Sequence, residues 1–358
     1  MVDMSTKKSR LTVADVASAA NVSKATAARV LGGYGLASET ARKAVLEAAE
    51  RLGYQPNDLA RSMSTGRSGL IGVVVGDIEN AFFSLAVRGI SDTARAAGLN
   101  VIISNSSEQI TEEREMVSVL LRQRVAGLIV APTDARQLDH LKSAITSGVP
   151  VVTLDRWSPD LPADAVCGDD RASAISVLQH LQGAGHRHVA YVTAMTSRSG
   201  RLAAPEDVGI SAVRERIEGF LAASDQAGIP PPRQMVFTNA TDDAATGRIV
   251  DKVLAESPRI TALLASDSLV GARLFRALTN RGVRLPRDMS LVSWFDADWT
   301  RVTSPQISVV DQPTYLFGQR AAERLIRRLK GDTTEPLRLL IPTPLIDRGT
   351  VGPAPRCL

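Results

Sequence analysis

The stretch that decides the reading of this chain is TVADVASAANVSKATAARVLGG, residues 12–33. Val13, Val16, Ala17 and Ala20 recur at i, i+3, i+4 and i+7, which is one apolar stripe along a helix. Thr12 and Asp15 have the spacing of a capping box that starts such a helix. Asn21-Val22 breaks the pattern, and Ser23 offers an oxygen suited to cap a second helix. There Ala27, Val30 and Leu31 fall inward, while Lys24, Ala25, Ala28 and Arg29 are left on the outer face. Gly32-Gly33 closes it, because glycine is costly inside a helix and common at its end. A third helix is predicted from a Ser38 cap to Leu52, with Val45, Ala48, Ala49 and Leu52 inward and Gly53 as its stop. Two short helices around a tight turn make a helix-turn-helix. A three-helix bundle with no nucleic-acid role is the other reading of the same pattern.

Outward from this head, Pro56 ends one element, Asn57 can cap another, and Gly66 closes it after about two turns. So short a helix is marginal alone, because nucleation is costly and few bonds repay it. It forms only where something holds it, which makes it a candidate switch. Charge is unevenly spread. Residues 1–68 carry ten Lys and Arg against six Asp and Glu, whereas the rest of the chain carries 32 of each. A basic head on a neutral body suits nucleic-acid contact at one end.

The run from Leu11 to Arg67 resembles the lactose-repressor (LacI/GalR) family of bacterial regulators. The matching pieces include Thr12-Val13-Ala14-Asp15-Val16-Ala17, Val22-Ser23, Arg29-Val30-Leu31, Ala48-Ala49-Glu50-Arg51-Leu52-Gly53-Tyr54 and Ala60-Arg61-Ser62. The resemblance implies that the second helix enters the major groove, with Lys24, Ala25 and Arg29 reading bases and Ser23 on a phosphate. Arg29 suits bidentate contact with guanine, and Ala25 offers only apolar contact. Ser38, Asn57 and Arg61 complete the expected DNA-binding set. Met63 stands where the family wedges an apolar side chain into the minor groove, and methionine can do the same. Ala28 and Gly32 depart from the family's Ser and Asn, removing two polar phosphate contacts.

Beyond residue 68 short apolar runs alternate with amphipathic stretches. The runs are 70–75, 99–104, 127–131, 150–154, 188–193, 234–237, 260–265 and 290–294, with helices expected at 112–123 and 268–281. Such alternation predicts an α/β body of two parallel, doubly wound sheets. A ligand is then expected in the cleft at the strands' carboxyl ends. The resemblance continues here, through Ile71-Gly72-Val73-Val74-Val75, Asp155-Arg156, Arg216-Ile217-Glu218-Gly219-Phe220 and Asp311-Gln312-Pro313. It implies a periplasmic-binding-protein-like sensor that dimerises through its two lobes. Domains are expected at 1–56 (helix-turn-helix), 57–67 (hinge helix) and 68–358 (effector binding and dimerisation).

By position, the family's effector contacts fall on Phe82, Phe83, Asp155, Arg216, Ser266 and Phe295. Arg216 can fork to hydroxyls or an acid, and Asp155 can accept from hydroxyls. Phe82 and Phe83 could stack on a ring or belong to the core. Phe295 stands where the family usually has a sugar-binding Asp, and Ser266 where it commonly has Asn. Residues 194–211, with Arg198 and Arg201, form a longer segment than usual and are expected as a loop near the cleft. The expected effector is a sugar, or a metabolite carrying an acidic group or a ring.

Competing classes find less support. Gly72 and Gly76 lack the G-x-G-x-x-G spacing of a dinucleotide site, and neither a P-loop nor a G-x-S-x-G elbow occurs. An α/β enzyme is therefore the alternative, not the expectation, and no cofactor is expected. His186 and His188 could share a strand face, but two imidazoles alone make a poor metal site, and a surface position at the start of a strand is expected for them. Cys167 and Cys357 fit no metal spacing and are expected as reduced thiols. Residues 1–10 are polar and basic with no apolar signal core after them, and no run approaches the roughly 20 apolar residues of a membrane span. A periplasmic solute-binding protein would need that signal and no helix-turn-helix. The expectation is a cytoplasmic, homodimeric regulator, a repressor by preference, acting on a palindromic operator.

Overall fold

The computed structural model describes residues 11–32, 35–54, 68–202, 204–226 and 235–355. The chain divides into two compact units, residues 1–69 and 70–358. Within the first lie α1 (Val13–Ala19), α2 (Lys24–Gly32) and α3 (Glu39–Leu52). The Asp15 carboxylate accepts from the Thr12 backbone N–H at 2.7 Å and its hydroxyl at 2.8 Å, which holds its pKa below the usual value. Ser23 Oγ accepts from the Thr26 N–H and Ser38 Oγ from the Ala41 N–H, so both expected caps form. Gly53 ends α3 at φ +63°, a left-handed conformation that a side chain would disfavour. The core is Val16, Ala17, Ala27, Val45, Ala48 and Ala49, with Val30, Leu31 and Leu52 packed against it.

The second unit opens with β1 (Leu70–Val75), α4 (Ala81–Ala96), β2 (Asn100–Asn105) and α5 (Ile110–Arg122). Then come β3 (Leu128–Val130), α6 (Asp139–Thr146), β4 (Val151–Leu154) and β5 (Asp164–Gly168). The chain crosses to a second lobe with α7 (Asp170–Gly183), β6 (Val189–Val192), α8 (Ser211–Gln226), β7 (Val236–Phe237) and α9 (Asp243–Ala255). That lobe continues through β8 (Ala262–Ala265), α10 (Ser268–Thr279), β9 (Ser290–Trp294), α11 (Trp299–Val302) and β10 (Ser308–Val310). Finally α12 (Thr314–Leu329) and β11 (Arg338–Ile341) return to the first lobe, and β12 (Leu345–Ile346) to the second.

The sheets run β11-β5-β4-β3-β1-β2 and β12-β10-β9-β8-β6-β7. Among the described residues the pairings between these strands are parallel except β10 with β12. Successive crossovers leave β1 in opposite directions toward β2 and β3, and the same reversal recurs at β6. Each reversal opens a crevice at the strands' carboxyl ends, which fixes where a ligand can enter. In the first lobe α12 lies against α4 with almost no gap. A Cβ on Gly318 would overlap the Ala86 carbonyl, and one on Gly89 the Tyr315 carbonyl.

The expected surface position of His186 is corrected. The ring is fully buried, with Nδ1 2.9 Å from Thr261 Oγ1 and Nε2 donating to the Gly352 carbonyl at 3.0 Å. Burial lowers its pKa. It pins the C-terminal segment to the second sheet, a long-range role that local sequence does not reveal. Cys167 is a free, buried thiol whose pKa burial raises. Cys357 lies outside the described residues.

Candidate functional site

Three of the expected effector residues are the first residue past a strand: Asp155 after β4, Ser266 after β8 and Phe295 after β9. β4 and β9 hold equivalent places in their sheets, and both end in the same left-handed turn. Asp155 has φ 64° and Phe295 φ 68°, and their amides donate to Val166 and Val310 on the next strand at 2.7 and 2.9 Å. A bulky residue in that region is uncommon and held only by its surroundings. Both side chains are thereby aimed off the ends of the sheets.

Between the lobes lies a cleft of about 630 Å³, lined by all six expected residues: Phe82, Phe83, Asp155, Arg216, Ser266 and Phe295. The phenylalanines line it while being buried. Phe82 meets Phe83, Phe295 and Phe317 edge-on at 5.2, 6.0 and 6.2 Å between ring centroids. Phe295 thus extends from the second lobe into the core of the first. For Phe82 and Phe83 the alternatives of core and cleft wall are both realised, each ring serving as both.

Arg216 is buried, and protein oxygens already engage two of its nitrogens. Nε donates to Asp170 Oδ1 at 2.6 Å, Nη1 donates to the Ser266 carbonyl at 2.7 Å, and the guanidinium lies 5.1 Å from the Trp294 ring centroid. Burial, reinforced by the charge of Asp155, pushes the Asp170 carboxyl up to about 6 against the pull of Arg216. Burial raises the Asp155 carboxyl in the same way. Among the described residues Asp155 Oδ1 has no hydrogen-bond partner, and neither does the amide Nε2 of Gln312, another buried residue of the cleft. Such orphans are rare inside proteins and call for an explanation.

The 194–211 segment does reach the cleft, but its arginines do not supply the charge expected of them. Arg201 pairs with Glu256 and stacks on the Phe237 ring, anchoring the loop to the second lobe. Neither it nor Arg198 lines the cleft. The loop instead bridges the lobes. The Ala135 N–H donates to the Gly209 carbonyl at 2.9 Å, and Arg136 Nη1 reaches the carbonyls of Glu206 and Asp207 at 3.3 Å.

Sequence reasoning missed the arginines that do line the cleft besides Arg216: Arg136, Arg156 and Arg273. Asp155-Arg156 was legible as a pair, but only the fold shows Arg156 forked onto Glu108 at 2.7 and 2.7 Å. Among the described residues no cluster of His, Cys, Asp and Glu suits a metal ion, and no helix is long and apolar enough to cross a membrane.

In the head, Ser23, Lys24, Ala25, Arg29 and Ser38 are all exposed. The first three sit at the start of α2, whose free N–H groups favour a phosphate. Arg29 folds back in the free protein, with Nε on the Ala25 carbonyl at 3.2 Å and Nη1 on that of Leu36 at 3.4 Å. Reading a base requires it to exchange those two bonds. Asn57, Arg61 and Met63 lie outside the described residues, as does the expected hinge helix at 57–67.

Residues 12–57 match the model of bacterial regulatory proteins of the lacI family, and residues 178–351 match a periplasmic binding protein-like domain. The transcriptional regulator PtxS of Pseudomonas putida is 31% identical, over 97% of each chain. Catabolite control protein A of Priestia megaterium is 28% identical, over 91% of this chain and 94% of its own. Among solved structures, the lac repressor dimer bound to operator and the anti-inducer ONPF superposes with a TM-score of 0.81. It is 26% identical and covers 96% of this chain and 99% of its own.

Proposed function

Because this chain belongs to the lacI family of bacterial regulatory proteins, we propose that its DNA binding is governed by a small molecule held in the inter-lobe cleft. The chain is a DNA-binding transcriptional regulator with a sensor of the periplasmic-binding type. In this proposal the effector is a sugar or related metabolite, and the protein acts in the cytoplasm as a homodimeric repressor of a palindromic operator. Its role is binding without turnover.

The observation that carries the proposal is the pair of buried polar atoms, unpartnered among the described residues, on two residues that line the cleft: Asp155 Oδ1 and Gln312 Nε2. One accepts and one donates, as a hydroxylated ligand requires of its site. A ligand that satisfies both removes a cost the free protein carries. Arg216 holds the cleft wall by joining Asp170 to Ser266, and the phenylalanines supply an apolar floor. Lys24, Ala25 and Arg29 read bases in the major groove, while Ser23 and Ser38 contact phosphates. From the sequence alone, Asn57 and Arg61 add backbone contacts and Met63 the minor-groove wedge.

Selection from a random duplex pool by the full chain, with no small molecule added, tests the regulator reading. Enrichment of a palindrome is expected. A pool that stays random at low salt, where phosphate contacts are strongest, would count against a repressor that binds DNA without its effector.

A further inference from the structure

Arg273 stands apart from the other arginines of the cleft. Arg136 is forked onto Asp134 at 2.8 and 2.7 Å, Arg156 onto Glu108, and Arg216 is paired with Asp170. Arg273 donates Nη1 to the Ala240 carbonyl at 3.0 Å, and no carboxylate among the described residues comes within ion-pair distance of it. It lies half-buried on α10, one turn after Leu269, so the same helix face presents both to the cleft. A guanidinium keeps its charge at any pH a cell reaches. A partly desolvated cation without a counter-ion is costly unless a ligand brings the anion.

Elsewhere the cleft shows the opposite bias. Asp155, at the end of β4 in the first lobe, keeps a buried oxygen free to accept, and Gln312, in the crossover between β10 and α12, keeps a buried amide free to donate. A neutral polyol would use those two atoms and leave the Arg273 charge unbalanced. A simple anion would meet Arg273 and leave Asp155 unsatisfied. Only a ligand with both kinds of group answers both walls.

We propose that the effector is a polyhydroxylated anion, a sugar acid or a sugar phosphate, with its anionic group on Arg273 and hydroxyls on Asp155 and Gln312. This rests on the cleft being the effector site. Arg273 is then the residue that selects the charged compound over its neutral parent.

Calorimetric titration of the full chain tests this directly. Pentoses and hexoses are each compared with their own aldonate and their own phosphate monoester. At least one anion is expected to bind roughly tenfold to a hundredfold more tightly than its parent sugar, the span of one charge-assisted contact. Arg273→Gln should erase that advantage, so that the anion and its parent sugar bind alike. Whether aldonate or phosphate ester shows the advantage identifies the anion. A neutral sugar that binds as tightly as its anions, an advantage that survives in Arg273→Gln, or silence across the whole panel would overturn the inference. In the first two cases Gln312→Ala separates the two readings. If it weakens whichever small molecule does bind, the cleft reading stands and only the ligand class is wrong.

Discussion

Asp155→Asn probes whether the cleft is built for a ligand at the expense of the free protein. Asparagine has the shape of aspartate and tolerates the left-handed φ of 64° at this position, so the backbone need not change. What changes is the charge. Burial holds the Asp155 carboxyl above its ordinary pKa, so its ionisation subtracts stability at any pH above the usual carboxylate range. Neutralising it should therefore leave the free sensor at least as stable. If about 1 kcal/mol is recovered, melting rises by roughly 2 °C for a unit of this size. The gain should vanish below the ordinary carboxylate range, where Asp155 is protonated in folded and unfolded chains alike. Effector binding moves the other way. Losing an ionised acceptor costs about 1.5–3 kcal/mol, a loss of roughly tenfold to a hundredfold in affinity. Scanning calorimetry at neutral and acid pH, with titration of the effector, reads both arms. A variant that melts well below wild type while binding effector normally would refute the reasoning and make Asp155 a structural residue.

Three further outcomes are expected. Arg29→Ala should abolish sequence preference in a duplex selection while non-specific binding and sensor melting persist; retained preference would remove Arg29 from base readout. Gly318→Ala forces α12 away from the Ala86 carbonyl and should destabilise the sensor by about 1–3 kcal/mol in denaturant titration, and an unchanged midpoint would show that the helices can separate freely. The Asp170 carboxyl, ordinarily at 3.8 and here pushed up to about 6, keeps a proton in the folded chain that the unfolded chain releases, so stability should fall as pH rises across that window. Asp170→Asn should flatten this fall in a pH series of melting temperatures; an undiminished slope would locate the proton elsewhere.

The head was legible in the sequence because each helix carries its own cap, stripe and stop within a few residues. The body was legible wherever a strand was a continuous apolar run. β5, β10, β11 and β12 were missed because they are short or carry Asp, Cys or Arg, and because their partners are distant. β11 joins β5 by setting Arg338 against Ala165, a pairing that no local pattern encodes. For the same reason the sequence could not show that α12 returns to the first lobe. In the cleft, Asp155, Ser266 and Phe295 were within reach because they follow strands. Asp170 and Arg273 were not, since each reads as an ordinary charge on a helix until the fold sets Asp170 against Arg216 and turns Arg273 toward the cleft. Arg201 misled for the converse reason: a loop arginine beside a site looked available, and the fold gave it Glu256 and Phe237 instead.

The most direct test of the account is a closed thermodynamic cycle on the full chain. Operator affinity is measured with and without saturating effector, and effector affinity with and without saturating operator. Two sites coupled through one protein must change each other's affinity by the same factor. Factors that differ from one and agree in the two directions are the predicted result. An effector that binds the cleft yet leaves operator affinity unchanged would contradict the claim that this cleft governs DNA binding.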